Sequence, residues 1–376
     1  VYLNSFISSF KRLFTSPVSA GNYIKILFTC FLMQSILVVS ALVIHDPICL
    51  FFRTVPDGQL PSTAQQRFQN AAIAKNFGRR YNAVIIGTSL SENFSTDEMR
   101  RKLGVDTMNL SISGAEFNEM LTVLNYTLSR NPQVKTVFWG LLPRHVFASE
   151  HHAELPDTFP AFLYNDSDLD DLKAYFSKRF LLTPQTKDEN DIWSWYSYYK
   201  SNGFFSRKCY FDSACLLMDE KIPPVDYTVD NIPKLEEVLT AHPDRTFYVF
   251  TPPRSGLFLN RHADEYHRAL LALSTLLAYP NLRLFDFTQM RSVTMDISRY
   301  KDVGHYDAAA NSAMVTAFAE NRYRIVPENI DDALAQVLTY QRTTLADLGI
   351  TDQDIAIFCA ASAQAENKGH SKQSKQ

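Results

Sequence analysis

Three groups of residues in this 376-residue chain have the types and spacing of acyl-transfer chemistry. The first is Ser89, in IIGTSLSENF (85–94), where a short β-branched run ends in Gly87-Thr88-Ser89 and a helical pattern starts at once. A serine on a tight turn above a strand end, with its own N–H directed at developing negative charge, suits a nucleophile. The same residues also fit a helix N-cap, with Ser89 and Glu92 in the spacing of a capping box. The second group is Asp302-x-x-His305 in YKDVGHYDAAANSAMVTAF (300–318). A serine hydroxyl needs a base, and a neutral imidazole needs a carboxylate to fix its tautomer. An Asp and a His three apart on one loop before a helix can serve together. The third is Ser113-Gly114-Ala115, after a strand, where a glycine can offer an unobstructed N–H to an oxyanion or simply satisfy the turn.

These residues need a scaffold that brings distant segments together. Strand-like runs at 82–88, 105–112, 134–142, 246–253 and 282–287 alternate with helical patterns from Ser91 to Gly104, near 116–130 and at 262–278. Such alternation predicts an α/β fold with a parallel sheet covered by helices on both faces, which binds ligands at the carboxyl ends of its strands. The candidate residues lie at those ends. The stretch 144–240 breaks the pattern with acidic patches and aromatic runs such as WSWYSYYKSNGFFSRKCYF (193–211), and is expected to be an insertion over the sheet. The domain plan is a cytoplasmic N-terminus (1–25), an anchor (26–45), a linker (46–80), the α/β domain (81–327) and a C-terminal helical segment with a disordered tail (328–376).

Residues 26–44, ILFTCFLMQSILVVSALVI, carry no charge. As a helix they extend about 28 Å, close to the thickness of a bilayer core. The run is longer than a signal-peptide core and lacks a small-residue cleavage site after it, so an uncleaved anchor is expected. Lys11, Arg12 and Lys25 precede it, with no acidic residue before it. The positive-inside rule then places the N-terminus in the cytoplasm and the main domain outside, in a bacterium the periplasm. A net charge of −3 excludes a basic field for nucleic acid. The five cysteines form no metal spacing. Cys209 and Cys215 fit either a disulfide across a short loop or two reduced thiols. His145, His151 and His152 lack acidic ligands at helical spacing and are expected to be loop histidines.

The order of the motifs carries more than any one of them. Ser on the first strand–helix turn, Gly on the second and Asp-x-x-His before the last helix resembles the SGNH (GDSL-like) hydrolase superfamily. Gly87-Thr88-Ser89 stands for its first block, Gly114 for its second and Asp302-x-x-His305 for its last. With the anchor, GTSLSENF, FTPPRSG and YKDVGHYD, the chain looks similar to the membrane-anchored branch of cell-envelope acylation. That branch includes alginate O-acetylation proteins, peptidoglycan O-acetyltransferases and the D-alanine transfer protein of teichoic acids. The resemblance implies a flavodoxin-type sheet and a serine O-acyltransferase or acyl esterase acting on an envelope polysaccharide. Ser89, His305 and Asp302 would be catalytic, with the Ser89 and Gly114 amides as oxyanion donors and no metal or cofactor. It also implies an acyl donor supplied by a multi-pass membrane acyltransferase. The third block departs from the pattern: Gly140-Leu141-Leu142-Pro143-Arg144 has no Asn to donate to the oxyanion. Asn93 and Arg254 are candidates to assist there, and Trp193 and Trp195 to stack on sugar rings. The departure and the aromatic insertion also fit a different class, a non-catalytic anchored module that binds polysaccharide or scaffolds a synthesis complex.

Overall fold

The computed structural model describes residues 19–46, 50–51, 66–147, 159–176, 207–219, 229, 231–357 and 359. The chain divides into two compact units, Val1–Pro47 and Ile48–Gln376. In the first, helix α1 (Ala20–His45) starts six residues before the uncharged run. Its segment Ala20–Ala41 is long and apolar enough to cross a membrane, a property a signal sequence near an N-terminus shares.

The second unit is built on a six-stranded sheet of order β2-β1-β3-β4-β5-β6. Strands β1 (Ala83–Ile86), β2 (Thr107–Asn109), β3 (Thr136–Gly140), β4 (Thr246–Thr251) and β5 (Leu282–Asp286) are parallel. The two-residue β6 (Arg324–Ile325) closes the edge antiparallel to β5. The parallel five have the 2-1-3-4-5 order of flavodoxin-like doubly wound sheets. In β1, all four residues AVII are buried, as expected of a strand covered on both faces. Val84, Ile86, Val137, Trp139, Val249 and Leu284 face one core. Ala83, Ile85, Phe138, Phe250 and Phe285 face the other. The first core is covered by α4 (Phe117–Arg130), α6 (Ile232–Ala241), α7 (Gly256–Ser274) and α9 (Ile330–Thr339). The second is covered by α3 (Thr96–Leu103), α5 (Arg207–Asp219) and α8 (Ala308–Glu320). Phe318 of α8 centres the second core, its ring 5.0–6.2 Å from those of Phe94, Phe138, Phe250, Phe285 and Phe287. The chain passes from β1 to β2 on one side and then to β3 on the other. The crevice of the sheet therefore opens at the carboxyl end of β1, directly before Ser89.

Two expectations change. Part of the stretch 46–80, expected to be a linker, folds onto the domain. Helix α2 (Gln66–Ala72) and the turns through Arg80 bury Phe68, Ile73 and Phe77. Arg67 pairs with the buried Glu119 through Nε (2.6 Å) and Nη2 (3.1 Å), and Asn70 donates to Leu110 O at 2.8 Å. The disulfide joins Cys215 to Cys359, not to Cys209. Cys209 and Cys215 both lie in α5. Six helical residues separate Cα atoms by about 9 Å along the axis, beyond the reach of about 7 Å that a disulfide tolerates. Cys215 and Cys359 have Cα atoms 5.3 Å apart and close a span of 144 residues. Replacing both with Ser is expected to destabilise the domain by about 2–5 kcal/mol, read as a lower denaturation midpoint that reductant no longer changes.

Candidate active site

Ser89 stands on a run of turns from Thr88 to Asn93, and no helix follows until α3 at Thr96. The expected Ser89–Glu92 capping box is not made. Ser95 caps α3 instead, its Oγ accepting from Glu98 N at 3.3 Å. The carbonyls a helix would use are taken. Leu90 O accepts from the Tyr306 hydroxyl at 2.6 Å, and Ser91 O and Glu92 O accept from Asn109 Nδ2 at 2.9 and 3.3 Å. Ser91 folds back over the strand ends: a Cβ on Gly87 or Gly140 would lie 2.3 or 2.6 Å from its Oγ. Gly87 is needed for that close approach, which lets the turn rise steeply and leaves Ser89 half-buried above β1.

Asp302 and His305 sit on a short excursion closed by an antiparallel bridge between Tyr300 and Tyr306. Lys301 N donates to His305 O at 2.9 Å across it. Asp302 Oδ1 accepts from the Gly304 and His305 amides at 2.8 and 2.7 Å, the local bonding that makes Asp favourable in such turns. Its Oδ2 lies 2.8 Å from His305 Nδ1. A carboxylate only accepts, so Nδ1 carries the proton and Nε2 is left as the acceptor. Nε2 lies 2.8 Å from Ser89 Oγ, within reach of a general base. Burial pushes the Asp302 carboxyl up, but the bonds from His305 and the two amides exceed it and hold it down at about 2. Asp302 is therefore an anion from about pH 4 upward.

Three further contacts fix this loop. Val303 N donates to Ser213 Oγ of α5 at 2.9 Å, and Val303 O accepts from Ser255 N and Oγ at 3.3 and 2.9 Å. The third is the Tyr306–Leu90 bond, which ties the residue after His305 to the residue after Ser89. Tyr306→Phe is expected to cost about 1 kcal/mol of stability and to lower kcat while leaving KM within about twofold, measured by thermal unfolding and ester kinetics side by side.

Gly114 lies in the turn from Ile112 to Ala115 at φ +66°, a conformation that favours glycine. Among the described residues, neither the Ser89 N–H nor the Gly114 N–H has an acceptor. The turn is held by a cluster the sequence did not signal. Ser113 N donates to Gln66 Oε1 at 2.8 Å, while Gln66 Nε2 and Ser113 Oγ donate to Glu92 Oε1 at 2.8 and 2.9 Å. Glu92 is 4% exposed, so its carboxylate is committed inside the domain, where it joins the Ser89 turn to the Gly114 turn. Gln66 comes from α2, outside every motif.

After β3, where the third block is expected, the side chain that reaches across is His145. It is fully buried, accepts from Leu142 N through Nδ1 at 3.1 Å, and its Nε2 lies 3.1 Å from both Ala115 O and Arg144 Nε. His145 thus ties the end of β3 to the Gly114 turn. Asn93 is buried at the end of the Ser89 turn, its Oδ1 without a hydrogen bond among the described residues. Arg254 follows β4 and lies against Gly304, beside His305. Trp193 and Trp195, with His151 and His152, lie outside the described residues, and no cluster of metal-ligating side chains occurs within them.

No family model and no curated protein matches this chain. Among solved structures, one provisionally described as a platelet activating factor from Streptococcus pneumonia is similar over 70% of this chain and 92% of its own, at 10% identity and a TM-score of 0.37. So loose an overlap identifies no site, and the one described above stands on its own hydrogen bonds. The chain is a mixed α/β protein with a mostly parallel six-stranded sheet and an apolar N-terminal helix.

Proposed function

We propose that this chain is a membrane-anchored serine acyl esterase or O-acyltransferase of the SGNH type, acting on a cell-envelope polysaccharide. The observation that carries the reading is the continuous bonded series from Ser89 Oγ through His305 to Asp302, with Nε2 in the accepting state. In the proposed reaction, Oγ attacks the acyl carbonyl as its proton passes to Nε2, and the Ser89 and Gly114 amides receive the oxyanion. The imidazolium, stabilised by Asp302, then protonates the leaving alcohol. Water or a sugar hydroxyl repeats the steps in reverse on the acyl-Ser89 ester. The lack of a third-block Asn removes a donor worth about 10² to 10³ in rate, which a slow transferase tolerates and a non-catalytic module also fits.

The domain plan supports an extracytoplasmic setting: anchor at 26–45, catalytic α/β region within 81–327, insertion at 144–240. Basic residues before the anchor put its N-terminus in the cytoplasm, and a disulfide suits a domain in the oxidising periplasm. The acyl donor would come from a multi-pass membrane partner on the same membrane. The test is to quench the full-length protein during turnover of an activated acetyl ester and map the adduct. Acetyl on the peptide containing Ser89, discharged faster when an oligosaccharide acceptor is added, is the expected result. Turnover without any Ser89 adduct in the wild type would contradict it, and a folded protein with no turnover at all would favour a module that only binds glycan.

A further inference from the structure

Among the described residues, Arg254 is a cation without a carboxylate partner. It follows two prolines in Thr251-Pro252-Pro253-Arg254, and its loop is stitched to the His305 loop by the two bonds from Ser255 to Val303 O. Its guanidinium carbon stands 3.9 Å from the centre of the Phe258 ring. A Cβ on Gly304 would lie 2.7 Å from that carbon and 2.8 and 2.9 Å from the two Nη atoms. Such nearly equal distances place Gly304 over a face of the guanidinium plane. The group packs against a ring and a backbone, and only glycine at 304 leaves room for it.

What remains open is the edge. Nε is buried without a hydrogen bond, and among the described residues no carboxylate lies within ion-pair distance of either Nη. A partly desolvated guanidinium without a carboxylate partner gains from pairing with an anion that binds there. Burial pushes the Tyr306 hydroxyl well up, and Arg254 pulls it down, which places the charge near the hydroxyl that bonds Leu90 O beside Ser89. A planar guanidinium packed against a ring and a glycine presents its free N–H groups as a fork, the geometry that fits a carboxylate, phosphate or sulfate.

We propose that Arg254 is the anion-recognition residue of this site, and that the ester Ser89 attacks carries a carboxylate, phosphate or sulfate group that pairs with the free edge of this guanidinium. The proposal rests on the esterase reading of Ser89 and narrows its substrate to anionic esters.

The test uses the full-length chain in detergent and three 4-nitrophenyl-type esters. These are the neutral acetate, the hemisuccinate with its charge on the acyl side, and the acetate of a carboxy-nitrophenol with its charge on the alcohol side. At least one anionic ester is expected to exceed the neutral one in kcat/KM by about tenfold or more, the worth of a charge-assisted pair, and which one does so says where the anion sits. Arg254→Gln is expected to bring that ratio near one, and Arg254→Lys to recover only part of it. Equal use of all three esters by the wild type, or a ratio that survives Arg254→Gln, overturns the proposal. Binding of the same esters to Ser89→Ala, measured by calorimetry, separates the two readings. Anion-selective binding lost in Ser89→Ala/Arg254→Gln keeps the anion site even if no ester is turned over. Indifferent binding refutes it even if Ser89 is an active nucleophile.

Discussion

Replacing Ser89 or His305 with Ala is expected to lower turnover of an activated ester by as much as about 10⁶-fold, and replacing both is expected to lower it no further. On the proposed reading the nucleophile and its base act as one unit, so losing either leaves only binding and the oxyanion amides. The 2.8 Å contact between Oγ and Nε2 is the geometric ground for this coupling. The fold should hardly notice. Ser89 and His305 are both partly exposed, and the Asp302 bonds to the Gly304 and His305 amides do not depend on either side chain. Steady-state kinetics of the two single variants and the double variant, with thermal unfolding as the control for folding, check it. Losses that multiply would mean that Ser89 and His305 act separately.

Asp302→Asn is expected to cost about 10⁴-fold in kcat with little loss of the loop. The Asn oxygen can still accept from the Gly304 and His305 amides, so the turn survives. Its Nδ2 then faces His305 Nδ1, and two donors cannot bond each other. The ring must carry its proton on Nε2, which can no longer take one from Ser89. Stability at low pH changes too. The Asp302 carboxyl is held at about 2, below its ordinary value of 3.8. A depressed carboxyl stabilises the fold fully above its unfolded value, from about pH 4 upward, and that contribution fades as pH falls through about 2. The wild type should therefore lose stability relative to Asp302→Asn between about pH 4 and pH 2, read from unfolding midpoints across that window. Since Asp302 stays ionised above it, no limb of the rate profile between pH 4 and 9 belongs to this group.

The sheet was legible because its strands are short β-branched and aromatic runs buried on both faces, and each predicted run contains an observed strand. The ends moved inward: 105–112 contracts to Thr107–Asn109 as a strand, although Leu110 N and Ile112 N still reach Ile85 O and Gly87 O of the neighbouring segment. Ser89, Asp302 and His305 were legible for a different reason. Each sits at a punctuation mark of the chain, the first after Gly87 and the others in a turn that Gly304 and the Asp302 side chain define.

What was misjudged depends on contacts distant in sequence. SENF looked helical by composition, yet Asn109 claims its Ser91 and Glu92 carbonyls from 18 and 17 residues away, and Tyr306 claims that of Leu90 just before it from 216. Cys209 and Cys215 look like a loop pair until both are seen on one helix, and nothing local points from Cys215 to Cys359. Gln66 looked like linker sequence because its partners, Ser113 and Glu92, declare themselves only when α2 packs beside the Gly114 turn. His145 looked like a loop histidine, but its burial is set by Leu142 N on one side and Ala115 O on the other.

The activation of Ser89 is the central claim, and a serine-directed fluorophosphonate reports it without knowledge of the natural substrate. The full-length wild type, labelled at neutral pH and digested, should carry one phosphonyl group on the peptide containing Ser89. Labelling should vanish in Ser89→Ala and slow by orders of magnitude in His305→Ala. A wild-type protein that stays folded yet leaves Ser89 unlabelled, or labels it no faster than His305→Ala does, would contradict the account.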